Sequence, residues 1–251
     1  MQAGTDLTLS GGGEWSPTGG LNLSAGATIH FTGGDYSLAG GGSLAGTLDT
    51  ATAATVRLTT GTFSLQQGAA ITGDGFLQVA GATLEVAGNV TARNFDLNFG
   101  TLSGPGVFSV TDTLKWIGGA MSGSGSTDLG SGATMYVLGT AAGDDNRYLL
   151  GRTFNNAGTI IWIGIRPIIT DDNGATFNNL ASGTILARSD SGFVNQDVNS
   201  SLGVTFNNAG TLRKEAGTGV MLFDVGTFNV TVRPRSRVSG SENPKGLWLT
   251  L

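Results

Sequence analysis

The residues of this 251-residue chain best suited to chemistry are two adjacent carboxylate pairs, Asp144-Asp145 and Asp171-Asp172, with Arg147 close to the first. Two acids held ~5 to 9 Å apart are what glycoside hydrolysis needs, one giving a proton and the other acting as nucleophile or base. Polysaccharide lyases add basic side chains that neutralise a uronate carboxylate. Here the central basic residues are few: Arg147, Arg152, Arg166 and Arg188. Both acid pairs also sit beside Asn and Gly, in Gly143-Asp144-Asp145-Asn146-Arg147 and Asp171-Asp172-Asn173-Gly174, where Asp normally closes turns. Asp144, Asp145, Arg147, Asp171 and Asp172 are therefore ligand-binding candidates, and no residue is assigned a catalytic role. The expectation is a protein that is not an enzyme, with a carbohydrate-active hydrolase or lyase as the alternative.

Other chemistries find less. The one His, His30, lies in Thr28-Ile29-His30-Phe31, an alternating context that suits an outward or hydrogen-bonded side chain better than a Ser-His-Asp triad. Zero Cys removes thiolate metal sites, disulfides and cysteine nucleophiles together. Phosphate-loop matches among 43 Gly mean nothing without a strand-to-helix junction. Gly123-Ser124-Gly125-Ser126-Thr127-Asp128-Leu129 approaches a calcium β-roll nonapeptide once and out of place. No metal and no cofactor is expected. A formal charge of −5 disfavours nucleic acid as a partner. An ice-binding face, the third possibility, would repeat Thr-x-Thr on many rungs, and Thr50-Ala51-Thr52 and Thr111-Asp112-Thr113 stand alone. Trp15, Trp116, Trp162 and Tyr148 could stack on sugars, although Trp116 and Trp162 follow packing patterns. No stretch reaches the ~20 apolar residues of a membrane span, and the first residues lack a signal-peptide pattern.

The elements that must position these residues follow from composition and repetition. Gly supplies 43 of 251 residues, whereas Glu occurs four times and Lys three, so exposed helix faces have almost nothing to build them. Gly-Thr-apolar triplets begin at Gly46, Gly61, Gly100, Gly158, Gly183, Gly210 and Gly226. A longer unit, Phe154-Asn155-Asn156-Ala157-Gly158-Thr159-Ile160, returns as Phe206 to Leu212 and, expanded by two residues, as Phe177 to Ile185. Between turns such as Gly104-Pro105-Gly106, segments such as Thr83-Leu84-Glu85-Val86 alternate with period two.

Short alternating strands and a recurring heptad predict an all-β fold, a right-handed parallel β-helix with coils of about 20 residues and a few loop excursions. About 12 rungs would make a rod roughly 55 to 60 Å long at ~4.8 Å per rung. Stacked heptads predict an asparagine ladder from Asn155, Asn156, Asn178, Asn179, Asn207 and Asn208, and an inward stack of Phe154, Phe177 and Phe206. Residues 1–231 are expected to form one solenoid, more regular to about 120 and loop-bearing after. Residues 232–251, with 4 basic and 1 acidic side chain, are expected to form a basic cap or tail.

The heptad, together with Gly100-Thr101-Leu102-Ser103-Gly104-Pro105-Gly106-Val107-Phe108-Ser109-Val110, resembles repeat regions of large secreted bacterial surface proteins. These are the filamentous-haemagglutinin-like adhesins and autotransporter passengers, and the likeness covers about residues 40 to 230. It implies a stalk or fibre segment at the cell surface or outside the cell, without catalysis. Surface carbohydrate and other copies of the chain, end to end, are its implied partners. It identifies no functional residue, and the uneven steps between units depart from a uniform repeat.

Overall fold

Period-two alternation buries one side of a strand and leaves the other outside. Glycine turns every few residues keep each strand short. In the computed structural model, which describes residues 2–3, 5–16, 19–139, 146–171, 173–196 and 203–231, these rules generate an all-β solenoid. It has about 10 turns of about 21 residues each, and its strand pairings are all parallel.

Each turn presents three short strands, so the rod has three faces. The first is the ten-stranded sheet that includes Leu21–Leu23, Thr62–Leu65, Arg147–Leu150 and Phe193–Asn195. The second includes Thr28–Phe31, Ser126–Leu129, Thr153–Asn156, Thr176–Asn179, Thr205–Asn208 and Thr227–Val230. The third includes Ala54–Leu58, Phe76–Val79, Thr134–Val137, Thr159–Trp162 and Thr184–Ala187. The second and third faces join in one 19-stranded sheet because Val90–Leu97 and Val107–Trp116 pass from one to the other without breaking. The pairing shifts between Ala92 and Asn94, and there Arg93 reaches out to Asp74 at 2.5 Å and Asp112 at 3.2 Å.

The rung count differs from the sequence-based 12 for a definite reason. Gly46 and Gly226 lead into strands of the second face, Gly61 and Gly100 into the first, and Gly158, Gly183 and Gly210 into the third. The Gly-Thr-apolar triplet marks entry to a strand at any corner, so some intervals between triplets are fractions of a turn.

The interior is a narrow column of Leu, Val, Ile and Phe with Trp116 and Trp162, nearly all of it inaccessible to solvent. Leu7, Leu9 and Trp15 on the first turn, and Leu212, Met221, Phe223 and Val225 near the last, pack against this core while staying partly exposed. Rung-on-rung stacking covers a side chain from both sides, and an end rung among the described residues has a neighbour on only one.

Candidate functional site

The heptad of the sequence lies in register with itself. Thr153, Phe154, Asn155 and Asn156 pair with Thr176, Phe177, Asn178 and Asn179, which pair with Thr205, Phe206, Asn207 and Asn208. Alternation then separates the two Asn of each copy, giving two ladders. In the outer one, Asn178 Nδ2 donates to Asn155 Oδ1 at 2.8 Å, and Asn207 Nδ2 donates to Asn178 Oδ1 at 2.8 Å. It extends beyond the heptads at both ends: Asn229 donates to Asn207 at 2.8 Å, and Asn155 donates to Asp128 Oδ1 at 2.7 Å. A carboxylate can only accept, so Asp128 fixes the polarity of the outer ladder, with every amide pointing its N–H toward the first turns.

The inner ladder runs the other way. Asn156 Nδ2 donates to Asn179 Oδ1 at 2.7 Å, and Asn179 Nδ2 donates to Asn208 Oδ1 at 2.6 Å, with all three side chains buried. Asn179 also donates to the Thr211 carbonyl at 3.1 Å, and Asn156 Oδ1 accepts from Gly158 N–H at 3.1 Å. The heptad glycines sit where a Cβ would meet the corner one rung below, at Gly158 the carbonyls of Ala133 and Gly130 and at Gly210 those of Gly183 and Leu180. At Gly183 the ladder itself adds to the crowding, since a Cβ there would collide with the Asn156 carbonyl and with Asn179 Oδ1.

The inward aromatic column is also present. Phe154, Phe177, Phe206 and Phe228 stack with centroid spacings of 4.9, 5.3 and 5.1 Å and interplanar angles of 12, 9 and 11°. Below Phe154 the same position is Thr127, and the next rung has Phe108. Arg152 uses this gap. Its Nε donates to Thr127 Oγ1 at 2.8 Å, and its terminal nitrogens donate to the carbonyls of Gly104, Ser122, Gly106 and Ser126 at 3.1, 3.1, 3.4 and 2.6 Å. Burial pulls the Arg152 guanidinium down to about 10, with Asp128 opposing the shift, so it remains a cation at neutral pH.

Of the five ligand-binding candidates, Asp144, Asp145 and Asp172 lie outside the described residues. Arg147 is fully buried, and its guanidinium donates to the carbonyls of Ile117 at 2.9 Å, Leu138 and Arg166. Asp171 receives the Asn173 backbone N–H at 3.1 Å and its side-chain amide, an Asx turn. Arg147 thus points into the wall and Asp171 closes its own loop. The basic segment 232–251 also lies outside the described residues.

Other polar columns occupy the earlier turns. His30 Nδ1 lies 2.9 Å from Asp49 Oδ2, while Asp49 Oδ1 accepts from Thr72 Oγ1 at 2.9 Å. The hydrogen bond to His30 holds the Asp49 carboxyl below its ordinary range. On the third face Arg57 Nε donates to Gln78 Oε1 at 2.9 Å, and Gln78 Nε2 donates to Asp96 Oδ2 at 2.7 Å. Asp96 Oδ1 is buried without a partner, and burial pushes its carboxyl up against the opposing pull of Gln78, Lys115 and Arg57. Among the described residues no three His, Asp or Glu side chains gather as a metal-binding group.

Corner lengths produce a concave feature among the described residues. Between the second and third faces, 130–133 and 180–183 are four-residue corners, whereas the intervening heptad corner is only Ala157-Gly158. The short corner sits back between two longer ones and leaves an open notch of about 460 Å³. Ala157, Gly130, Leu180, Ser109, Asp128 and Asn155 line it. The last three are successive members of the outer ladder column. Sequence reasoning missed Asp128 and Asn229 as ladder members; Thr227-Phe228-Asn229 was the available signal for the second.

No family model, no curated protein and no solved structure matches the chain.

Proposed function

We propose that this chain is a non-catalytic structural and adhesive segment of a secreted or cell-surface bacterial protein, acting as a stalk or fibre and holding glycan-binding positions along its flank. The observation that carries this is axial continuity. Two asparagine ladders and an aromatic stack tie several consecutive turns together, so polar side chains on the second face serve the turns beside them. The resemblance to repeat regions of large bacterial surface proteins adds the setting. Partly exposed core side chains on the first and last described turns suit end-to-end contact with a second copy.

The test is incubation of the chain with a panel of polysaccharides, monitoring unsaturated and reducing ends. No turnover is expected. Turnover that disappears in Asp171→Ala or Asp144→Ala would replace the stalk with a hydrolase or lyase.

A further inference from the structure

We propose that the notch over Ala157 binds one unit of a neutral pyranose, with the glycan chain continuing across the second face. This deepens the adhesive reading and rests on it.

The lining of the notch offers two chemistries. One stretch of the lining is apolar, with Ala157 on the short corner and Leu180, 41% exposed, on the four-residue corner one rung above. A large aliphatic side chain left at the lip of a hollow has its apolar surface uncovered, and the C–H face of a sugar ring is an amphipathic partner for it. The other stretch is the ladder column Ser109, Asp128 and Asn155, on adjacent rungs ~4.8 Å apart.

Ladder bonding leaves that stretch with capacity to spare. Asp128 gives one oxygen to Asn155, and a carboxylate has about four acceptor sites. Asn155 uses one amide hydrogen on Asp128 and accepts once from Asn178, keeping a second hydrogen and a second lone pair. An acceptor-rich group beside one that both donates and accepts suits neighbouring hydroxyls, each of which does both. The charge sets the class of sugar. Among the described residues Asp128 is the notch's one ionisable lining residue, and the Arg152 cation near it is buried and donates to Thr127 and four carbonyls, so a uronate or another acidic sugar would meet a carboxylate at the notch surface. The volume falls within the ~300–1,000 Å³ of small-molecule sites, and the openness lets a chain enter and leave.

The probes are the methyl α- and β-glycosides of glucose, galactose and mannose, with methyl glucuronide as the acidic comparison, followed by saturation-transfer and shift-titration NMR on the full chain. A ligand of about 13 heavy atoms at ~0.3 kcal/mol per atom corresponds to a Kd on the order of 1 mM. At least one hexoside is expected to bind at that level and the glucuronide to bind at least tenfold more weakly. Ala157→Phe, which adds a ring to the lining of the notch, should abolish binding. Asp128→Asn, which can still accept from Asn155, should weaken it several-fold. Leu180→Ser, on an exposed corner, supplies a second variant should Ala157→Phe fail to fold, and should weaken binding by about tenfold. The proposal is overturned if none of the six hexosides binds at about 50 mM, or if binding survives Leu180→Ser and Asp128→Asn unchanged. Binding without turnover leaves the stalk reading intact, and turnover with no binding at the notch removes both separately.

Discussion

Asn155 lies one rung above Asp128 and donates its Nδ2–H to the carboxylate at 2.7 Å. Because the carboxylate can only accept, this pair orients the amides of Asn155, Asn178, Asn207 and Asn229 in one direction. Asp128→Leu removes the acceptor and leaves Asn155 N–H to water or to nothing. The expected loss is about 1 kcal/mol, read as a lower urea midpoint, with Asp128→Asn close to unchanged.

The inner ladder is buried, and the same change costs more there. Asn179→Ala leaves the Asn156 amide with its longer bond to the Thr184 carbonyl at 3.4 Å and withdraws a donor from Asn208 and from the Thr211 carbonyl. Each unsatisfied buried group costs ~1 to 3 kcal/mol, so a loss of about 3 kcal/mol is expected in denaturant unfolding. Gly183→Ala should destabilise comparably, since its methyl would enter the space of the Asn156 carbonyl and Asn179 Oδ1. A smaller effect at Gly183 than at solvent-open Gly174 would contradict the coupling of corner and ladder.

Arg152 joins three turns through four carbonyls and one hydroxyl. A lysine ammonium has three donors on one atom and cannot span that set. Arg152→Lys should lose most of what Arg152→Met loses, about 3 kcal/mol or more by chemical denaturation. A lysine variant of wild-type stability would mean that the charge alone matters.

Asp96 gives a pH dependence of known sign. Its folded carboxyl is raised above the ordinary 3.8 by burial. Between 3.8 and that raised value the folded state therefore holds a proton that the unfolded state has released, and stability contributed by this group falls as pH rises through the window. Asp96→Asn keeps an acceptor for Gln78 without the buried charge. Its urea midpoint should rise relative to the parent at about pH 7 and not at about pH 3. A gain at both pH values would assign the effect to packing.

The sequence made the heptad columns legible because identical residues return at the spacing of whole turns. Phe154, Phe177 and Phe206 stack, and the six Asn fall in two columns. The number of turns was not legible, since a Gly-Thr entry suits any of three corners. Nor was the destination of Arg152, whose partners lie 25 to 48 residues earlier in the chain. Arg147 sits at a loop end in the sequence but turns inward to three carbonyls, a pairing that depends on neighbouring turns and has no local signature.

Like positions rise in one straight column, and the absence of Cys makes their spacing simple to measure. Spin labels would be placed on Asn229→Cys and, in separate proteins, on Asp128→Cys, Thr91→Cys or Thr47→Cys. These lie four, six and eight rungs below Asn229 in the same column. Pulsed dipolar spectroscopy should return about 19, 29 and 38 Å, a linear rise of ~4.8 Å per rung. Distances that fail to grow with rung number, or a Thr47 pair closer than the Thr91 pair, would contradict the solenoid and everything built on it.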